Sequence, residues 1–200
     1  MEAIFHGVLL ALGLILPLGV QNVFIFSQGA TQTQFVRALP ATITAAVCDT
    51  LLILLAIFGL SAIVFQFEWI RVALMSGGSL FLLYMGYTIW TSVPKADGNY
   101  HVLTTREQTL FALSVSLLNP HAILDTIGVI GTSALKYSGA EQALFTGACI
   151  AVSWLWFISL TFAGRVIGKI DHTGGFMKLL NKLSALFIWG TAVYLIIGIF

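Results

Sequence analysis

The stretch Leu118-Asn119-Pro120-His121-Ala122-Ile123-Leu124-Asp125-Thr126 lies inside a long apolar run, Thr109 to Thr132. It places a helix breaker, an amide, an imidazole and a carboxylate where hydrocarbon is expected. In lipid each such group costs free energy unless it is paired or put to use. The run around it is long enough to cross a membrane, because a hydrocarbon core of about 30 Å takes roughly 20 apolar residues as helix.

Working outward, six runs have this character: 3–27, 38–64, 70–92, 109–133, 142–167 and 180–199. Only 8% of the 200 residues are charged and 58% are hydrophobic, whereas soluble domains carry about 25% charged residues. The composition therefore points to a polytopic membrane protein. A net charge of +1 gives no reason to expect a nucleic-acid partner. Cys48 and Cys149 both fall inside apolar runs without Cys-x-x-Cys spacing, which reads as two small buried residues rather than a disulfide or redox pair. Met1-Glu2-Ala3 offers no basic leader, and the run Ile4 to Phe26 exceeds the roughly 7–15 residues of a signal-peptide core, so the first run reads as a retained span.

Basic residues set the orientation. The first, third and fifth connections and their edges carry Arg37, Lys95, Arg106, Arg165, Lys169, Lys178 and Lys182; the second and fourth carry Arg71 and Lys136. This bias puts the odd-numbered loops in the cytoplasm and both termini outside. A re-entrant run would move one terminus to the other side.

The longest polar connection, 93–108, divides the chain into residues 1–92 and residues 109–200, with three runs each. The halves look like repeats. Leu16-Pro17-Leu18-Gly19-Val20-Gln21-Asn22 can be laid on Asn119-Pro120-His121-Ala122-Ile123-Leu124-Asp125, matching Pro17 with Pro120 and Asn22 with Asp125 at an offset of 103. Ser79-Leu80-Phe81 resembles Ser184-Ala185-Leu186-Phe187 at a similar spacing. An odd number of spans per half requires the halves to be inverted. The expected fold is therefore all-α and polytopic: six transmembrane helices as two inverted three-helix repeats, with proline-broken first and fourth helices. Paired broken helices in inverted repeats are the sequence mark of an alternating-access transporter.

Two carboxylates lie well inside runs, Asp49 and Asp125, and no Lys or Arg lies deep enough to pair with them. Such groups face a bundle interior or a water-filled path. They are candidates to hold a cationic substrate group, a proton, or each in turn; the plainer alternative is a protonated Asp bonded to a nearby carbonyl. Pro17 and Pro120 each remove a backbone donor and free carbonyls one turn earlier. Freed carbonyls bind ammonium groups, freed amides at a half-helix N-terminus bind carboxylates, and an amino acid presents both. A simple kink is the competing reading. Gln21 and Asn22 project about 100° apart, for interhelical bonding or substrate contact. Asn119 joins them as a substrate contact. His121 and Asp125 are four apart on one helical face and can relay a proton, but two ligands do not make a metal site. His6 reads as interfacial, and His101 and His172 as loop residues. Gly77-Gly78, Gly86 and Gly190 read as close-packing positions. Trp154-Leu155-Trp156-Phe157 reads as packing, with a cation–π surface as the sharper alternative.

At this point the residues match a known pattern. Leu16 to Phe24 with Gln28-Gly29, Cys48-Asp49, and Leu118 to Thr126 resemble the LysE-type exporters of basic amino acids, and the resemblance covers essentially the whole chain. The Asn-Pro-His-x-x-x-Asp element is its most specific part. One departure stands out: the family pattern has Gly-Pro-Gln-Asn where this chain has Gly19-Val20-Gln21-Asn22, so a milder first break is expected. The resemblance implies a secondary exporter of arginine or lysine in the bacterial cell membrane, driven by the proton gradient or membrane potential. No Walker-type nucleotide motif is visible, no cofactor or catalytic residue is expected, and the partners are a cationic amino acid and the bilayer, with a homodimer left open. Export of neutral amino acids or metal ions, as in related branches, and a membrane-embedded enzyme built on His121 and Asp125 are the alternatives.

Overall fold

The computed structural model describes residues 1–17, 19–60, 68–91, 102–117, 119–171 and 175–197. Leu118, His101, His172 and most of the 93–108 connection lie outside the described residues, as do the side chains of Arg71, Pro120 and His121. Apart from Leu16, Pro17, Gly19 and Asn119, every described residue of the six apolar runs is helical, and no strand occurs among the described residues. The helices are α1 (Glu2–Ile15), α2 (Val20–Thr31), α3 (Phe35–Leu55), α4 (Glu68–Thr91), α5 (Thr105–Leu117), α6 (Pro120–Asp125), α7 (Gly139–Ile170) and α8 (Gly175–Ile197). Two wide π turns extend them: Ala56–Leu60 continues α3, and Thr126–Gly131 continues α6.

The first and fourth apolar runs are each broken near their middle. The axis turns by 81° between α1 and α2, with Pro17 as the one proline in the break. The physical reason is a side chain. Asn22 Nδ2 donates to the carbonyls of Ile15 (2.7 Å) and Pro17 (2.8 Å), replacing partners that the continuing helix no longer supplies. The second helices start at Val20 and at Pro120. Gly19 and Asn119 are the residues just before them. Pro17 lies within its break; Pro120 occupies the first helical position, where the absent N–H has no intrahelical role.

Among the described residues, α3 with its extension (Phe35–Phe58) and α7 are long and apolar enough to cross a membrane, with mean hydropathies of 2.2 and 1.9. The bent α1–α2 pair makes a third if it is counted as one span. Outward faces carry Leu80, Tyr84 and Tyr87 on α4, Leu155 and Phe162 on α7, and Tyr194 on α8. Large exposed apolar faces of this kind are stable against lipid and not against water.

The 32-residue α7 is the post around which α1, α2 and α3 pack. Close approach is set by glycines. A methyl at Gly29 would run into the Thr161 carbonyl, one at Gly164 into the Phe26 carbonyl, and one at Gly168 into Ala30. On α1, Gly7 approaches Phe145 and Ala148 in the same way. Gly86 makes room for Trp189 between α4 and α8, as its sequence setting implied. Gly77 and Gly190 meet nothing within 4 Å, so they are not close-packing positions. Hydropathy locates glycines in a span but not the face they occupy.

The polar end of α5 is specified locally. Thr104 N donates to Glu107 Oε2 at 2.8 Å, and Glu107 N to Thr104 Oγ1 at 3.3 Å. This reciprocal Thr-x-x-Glu box starts the helix where the polar connection ends. Both cysteines are buried and unbridged.

Candidate functional site: a polar cavity between two helix breaks

The two breaks open onto one cavity of about 130 Å³. Pro17, Gly19, Gln21 and Asn22 reach it from the first break, Asn119 and Asp125 from the second, and Asp49 from α3. Residues more than 100 positions apart in sequence thus share one polar space inside an apolar bundle.

Asp49 is held from α7, where Ser153 Oγ donates to its Oδ2 at 2.8 Å. Gln21 lies beside the same carboxylate, and among the described residues its enclosed Nε2 has no other partner. An incoming acceptor would complete its hydrogen bonding. Asn22 is used differently. Both its amide hydrogens go to the break carbonyls, and its Oδ1 accepts from Trp156 Nε1 at 3.3 Å. Its geometry is that of a brace.

The second break has another construction. Asn119 precedes α6 in extended conformation, and its Oδ1 faces the Ala122 N–H at 3.5 Å, a long helix cap. Pro120 follows at the first helical position. One and a half turns later the helix widens into Thr126–Gly131, which packs against the widened Ala56–Leu60 of α3. Single π turns inside α-helices recur at functional sites because they rotate side chains out of register. Asp125 and Thr126 sit at that transition and line the cavity. The position of the His121 side chain lies outside the described residues, so the His121–Asp125 pairing is not described.

Hydropathy and spacing passed over several lining groups: Ser153 on α7, Thr191 on α8, and Thr126. The reason is energetic. A hydroxyl in a helix can bond back one turn, as Thr191 Oγ1 does to Phe187 O at 3.0 Å, so it stands out little in an apolar run. The tryptophans of α7 prove to be more than filler. Trp154 Nε1 donates to Thr50 Oγ1 at 3.0 Å, and Trp156 braces Asn22. His6, which the sequence left without a role, pairs its Nδ1 with the Tyr137 hydroxyl at 3.0 Å. Among the described residues, no three His, Cys, Asp or Glu side chains come together as a metal site would require.

A cavity that carries two carboxylates and three side-chain amides on an otherwise largely apolar wall is the kind of site that membrane transport proteins build. The sequence comparisons agree. Residues 12–198 match the family described as LysE type translocator, and the chain belongs to that family. YisU of Bacillus subtilis (strain 168), named as a candidate amino-acid transporter, is 58% identical over all of this chain and 91% of its own length. The arginine exporter protein ArgO of Enterobacter sp. (strain 638) is 30% identical over 96% of this chain and 92% of its own length. ArgO of Escherichia coli (strain K12) is 27% identical with the same coverage. No solved structure matches the chain. The protein is thus a transporter of the LysE type in a bacterial cell membrane, and not an enzyme.

Proposed function

We propose that this chain is a secondary exporter of basic amino acids, arginine or lysine, moving them out of the cytoplasm at the expense of the proton gradient or membrane potential. The observation that carries the reading is that Asp49 and Asp125 line one cavity together with both helix breaks. Two carboxylates suit a substrate with two cationic groups. A charge-assisted hydrogen bond in such a setting contributes about 1.5–3 kcal/mol. Gln21 and the amides that begin α2 are suited to the substrate carboxylate, since Gly19 leaves that helix end without a side-chain cap. Asn119 and the carbonyls around Pro17 and Pro120 complete the polar wall, and Asn22 holds its shape. Asp125 with His121, or Asp49, takes the proton.

The ArgO relatives support the choice of a basic amino acid. The packing supports two inverted three-helix halves, 1–92 and 109–200. α3 packs on α7, and α4 on α8, so each pairs with its own counterpart. Near those contacts counterparts touch: Asp49 bonds Ser153, and Thr50 bonds Trp154, each pair 104 apart in sequence. Residues near a twofold axis meet their symmetry mates. With both termini outside, the two halves rock about this axis to expose the cavity to each side in turn.

The test is counterflow in proteoliposomes loaded with arginine, lysine or a neutral amino acid. Uptake of labelled arginine or lysine against an arginine load is the expected result. Exchange of neutral amino acids alone would replace the basic substrate with a neutral one, an outcome compatible with YisU, whose name specifies no particular amino acid.

A further inference from the structure

Away from the cavity, four helices are tied together at one end by side-chain donors that all end on backbone carbonyls. Arg165 on α7 donates through Nη1 to Gln32 O and through Nη2 to Thr33 O, the latter at 2.6 Å. These carbonyls belong to the C-terminal end of α2, where the helix dipole favours a cation. Gln32 in turn donates through Nε2 to Leu103 O at 2.9 Å, at the entry to α5. Gln108 on α5 donates through Nε2 to the same Leu103 O and to Arg37 O at the start of α3, both at 3.0 Å. α7, α2, α5 and α3 are thus joined in one chain of contacts.

The glutamines of the cluster are not surface residues, although the Arg165 to Thr33 bond is exposed. Gln108 is 1% exposed and Gln32 is 2% exposed. Each donor also crosses between segments far apart in sequence, with Gln32 to Leu103 and Gln108 to Arg37 both 71 residues apart. Arg165 to Gln32 spans the two halves of the chain, and the two glutamine bonds tie the first half to the end of the connection between them. Gln108 pays for its place: its Oε1 is enclosed and has no hydrogen-bond partner among the described residues. A buried acceptor without a donor raises the energy of the closed arrangement, whereas one exposed to water is satisfied. The cluster is stable when closed and is partly relieved when opened, which is the energetic form of a two-state element.

We propose that Arg165, Gln32 and Gln108 form the cytoplasmic gate of the transporter, closed in this structure, and that their bonds to Thr33, Leu103 and Arg37 must part before substrate can enter the cavity from inside the cell. The proposal rests on the orientation adopted under the proposed function, but not on which amino acid is carried. Loading an exporter requires this end to open. The opening moves α5 with its lead-in away from α2 and α3. α2 stays with α7, because Gly29, Gly164 and Gly168 pack those two helices backbone to backbone.

Both native cysteines are buried, so the reporter is introduced. Ala122 lines the cavity and is partly exposed, and Ala122→Cys is made in a background carrying Cys48→Ala and Cys149→Ala. The experiment measures the rate at which a membrane-impermeant cationic methanethiosulfonate reagent modifies the thiol introduced by Ala122→Cys in inside-out and in right-side-out membrane vesicles. Gln108→Ala and Arg165→Ala are expected to raise the rate in inside-out vesicles by about tenfold, with no rise in right-side-out vesicles. Lys169→Ala is the control: Lys169 is an exposed cation one turn beyond Arg165 on α7 and is not among the gate residues, so its rate should stay at the parent level. Expression level and size-exclusion profile of each variant show whether it is folded, and Gln108→Glu offers a second, more conservative change if the alanine variant is not. Unchanged labelling in folded gate variants would overturn the proposal. So would equal acceleration from both sides, which reports general loosening, or acceleration only in right-side-out vesicles, which puts the gate on the outer face. Failure of arginine or lysine counterflow would overturn the substrate reading and leave these labelling results standing.

Discussion

The two helix breaks face one cavity but are built by opposite means. The first restarts at Val20 after Gly19, a residue that caps nothing, and its loose carbonyls are gathered from below by Asn22. The second restarts on a proline behind Asn119, whose side chain caps the new helix from above. The first break leads into α2, which is seated on α7 without intervening side chains; the second leads into a six-residue helix that soon widens into a π turn. One side is rigid with an open helix end, and the other is self-capped with an adjustable continuation. The rigid side is suited to holding a substrate group in place. The adjustable side is suited to bringing Asp125 to and from it.

This comparison can be broken or sharpened by substitution. The largest effect is expected at the seat of α2. Gly164→Leu drives a side chain into the Phe26 carbonyl, and no folded protein should be recovered, by yield and size-exclusion profile in detergent. Gly190→Ala, at a position with open space, should behave as the parent. Recovery of well-folded Gly164→Leu protein would mean that the rigid side is not rigid.

Next come the carboxylates. Asp49→Asn keeps the Ser153 contact available but removes a charge, and is expected to lower arginine or lysine counterflow about 100-fold, the loss of roughly 1.5–3 kcal/mol of charge-assisted bonding. Asp125→Asn should also impair counterflow strongly and, if it carries the coupled proton, abolish the response to an imposed pH gradient. Two aspartate variants that exchange normally would end the assignment of both residues.

The braces should separate the breaks from one another. Asn22→Ala leaves two carbonyls without their donor and is expected to lower thermal stability in detergent by several degrees, with a fall in exchange rate. Asn119→Ala removes a single long cap of 3.5 Å and should do less in the same melt. The reverse ranking would show that the second break is the more tightly held. The smallest effect on the fold is expected from Val20→Pro. It gives the first break the proline that the second has at Pro120, at the first helical position, so the melt should stay near the parent's; exchange should fall, because the substitution removes one of the amides proposed to meet the substrate carboxylate.

Much of this site was legible in the residues. Pro17, Pro120, Asp49, Asp125, Gln21, Asn22 and Asn119 drew attention because each is expensive in hydrocarbon, and the structure brings the polar ones and Pro17 to a single cavity. Ser153 and Thr191 were silent, since a hydroxyl can satisfy itself on its own helix. The brace made by Asn22 was equally hidden. Which carbonyls an amide reaches depends on an 81° turn that no periodicity encodes.

By itself the sequence determined that this chain is helical, that it belongs in a bilayer, and which few polar residues must be sheltered there. Composition and run length suffice for that, because lipid leaves the backbone few other solutions. Only the tertiary structure decided that Asp49 and Asp125 share one cavity, that Asn22 braces its own helix break, and that Gly164 rather than Gly190 bears a close contact. Those outcomes depend on helix rotation and on pairing between distant segments. Apolar runs look alike to one another, and it is the packing of their small residues and the pairing of their scarce polar groups that distinguishes one arrangement from the rest.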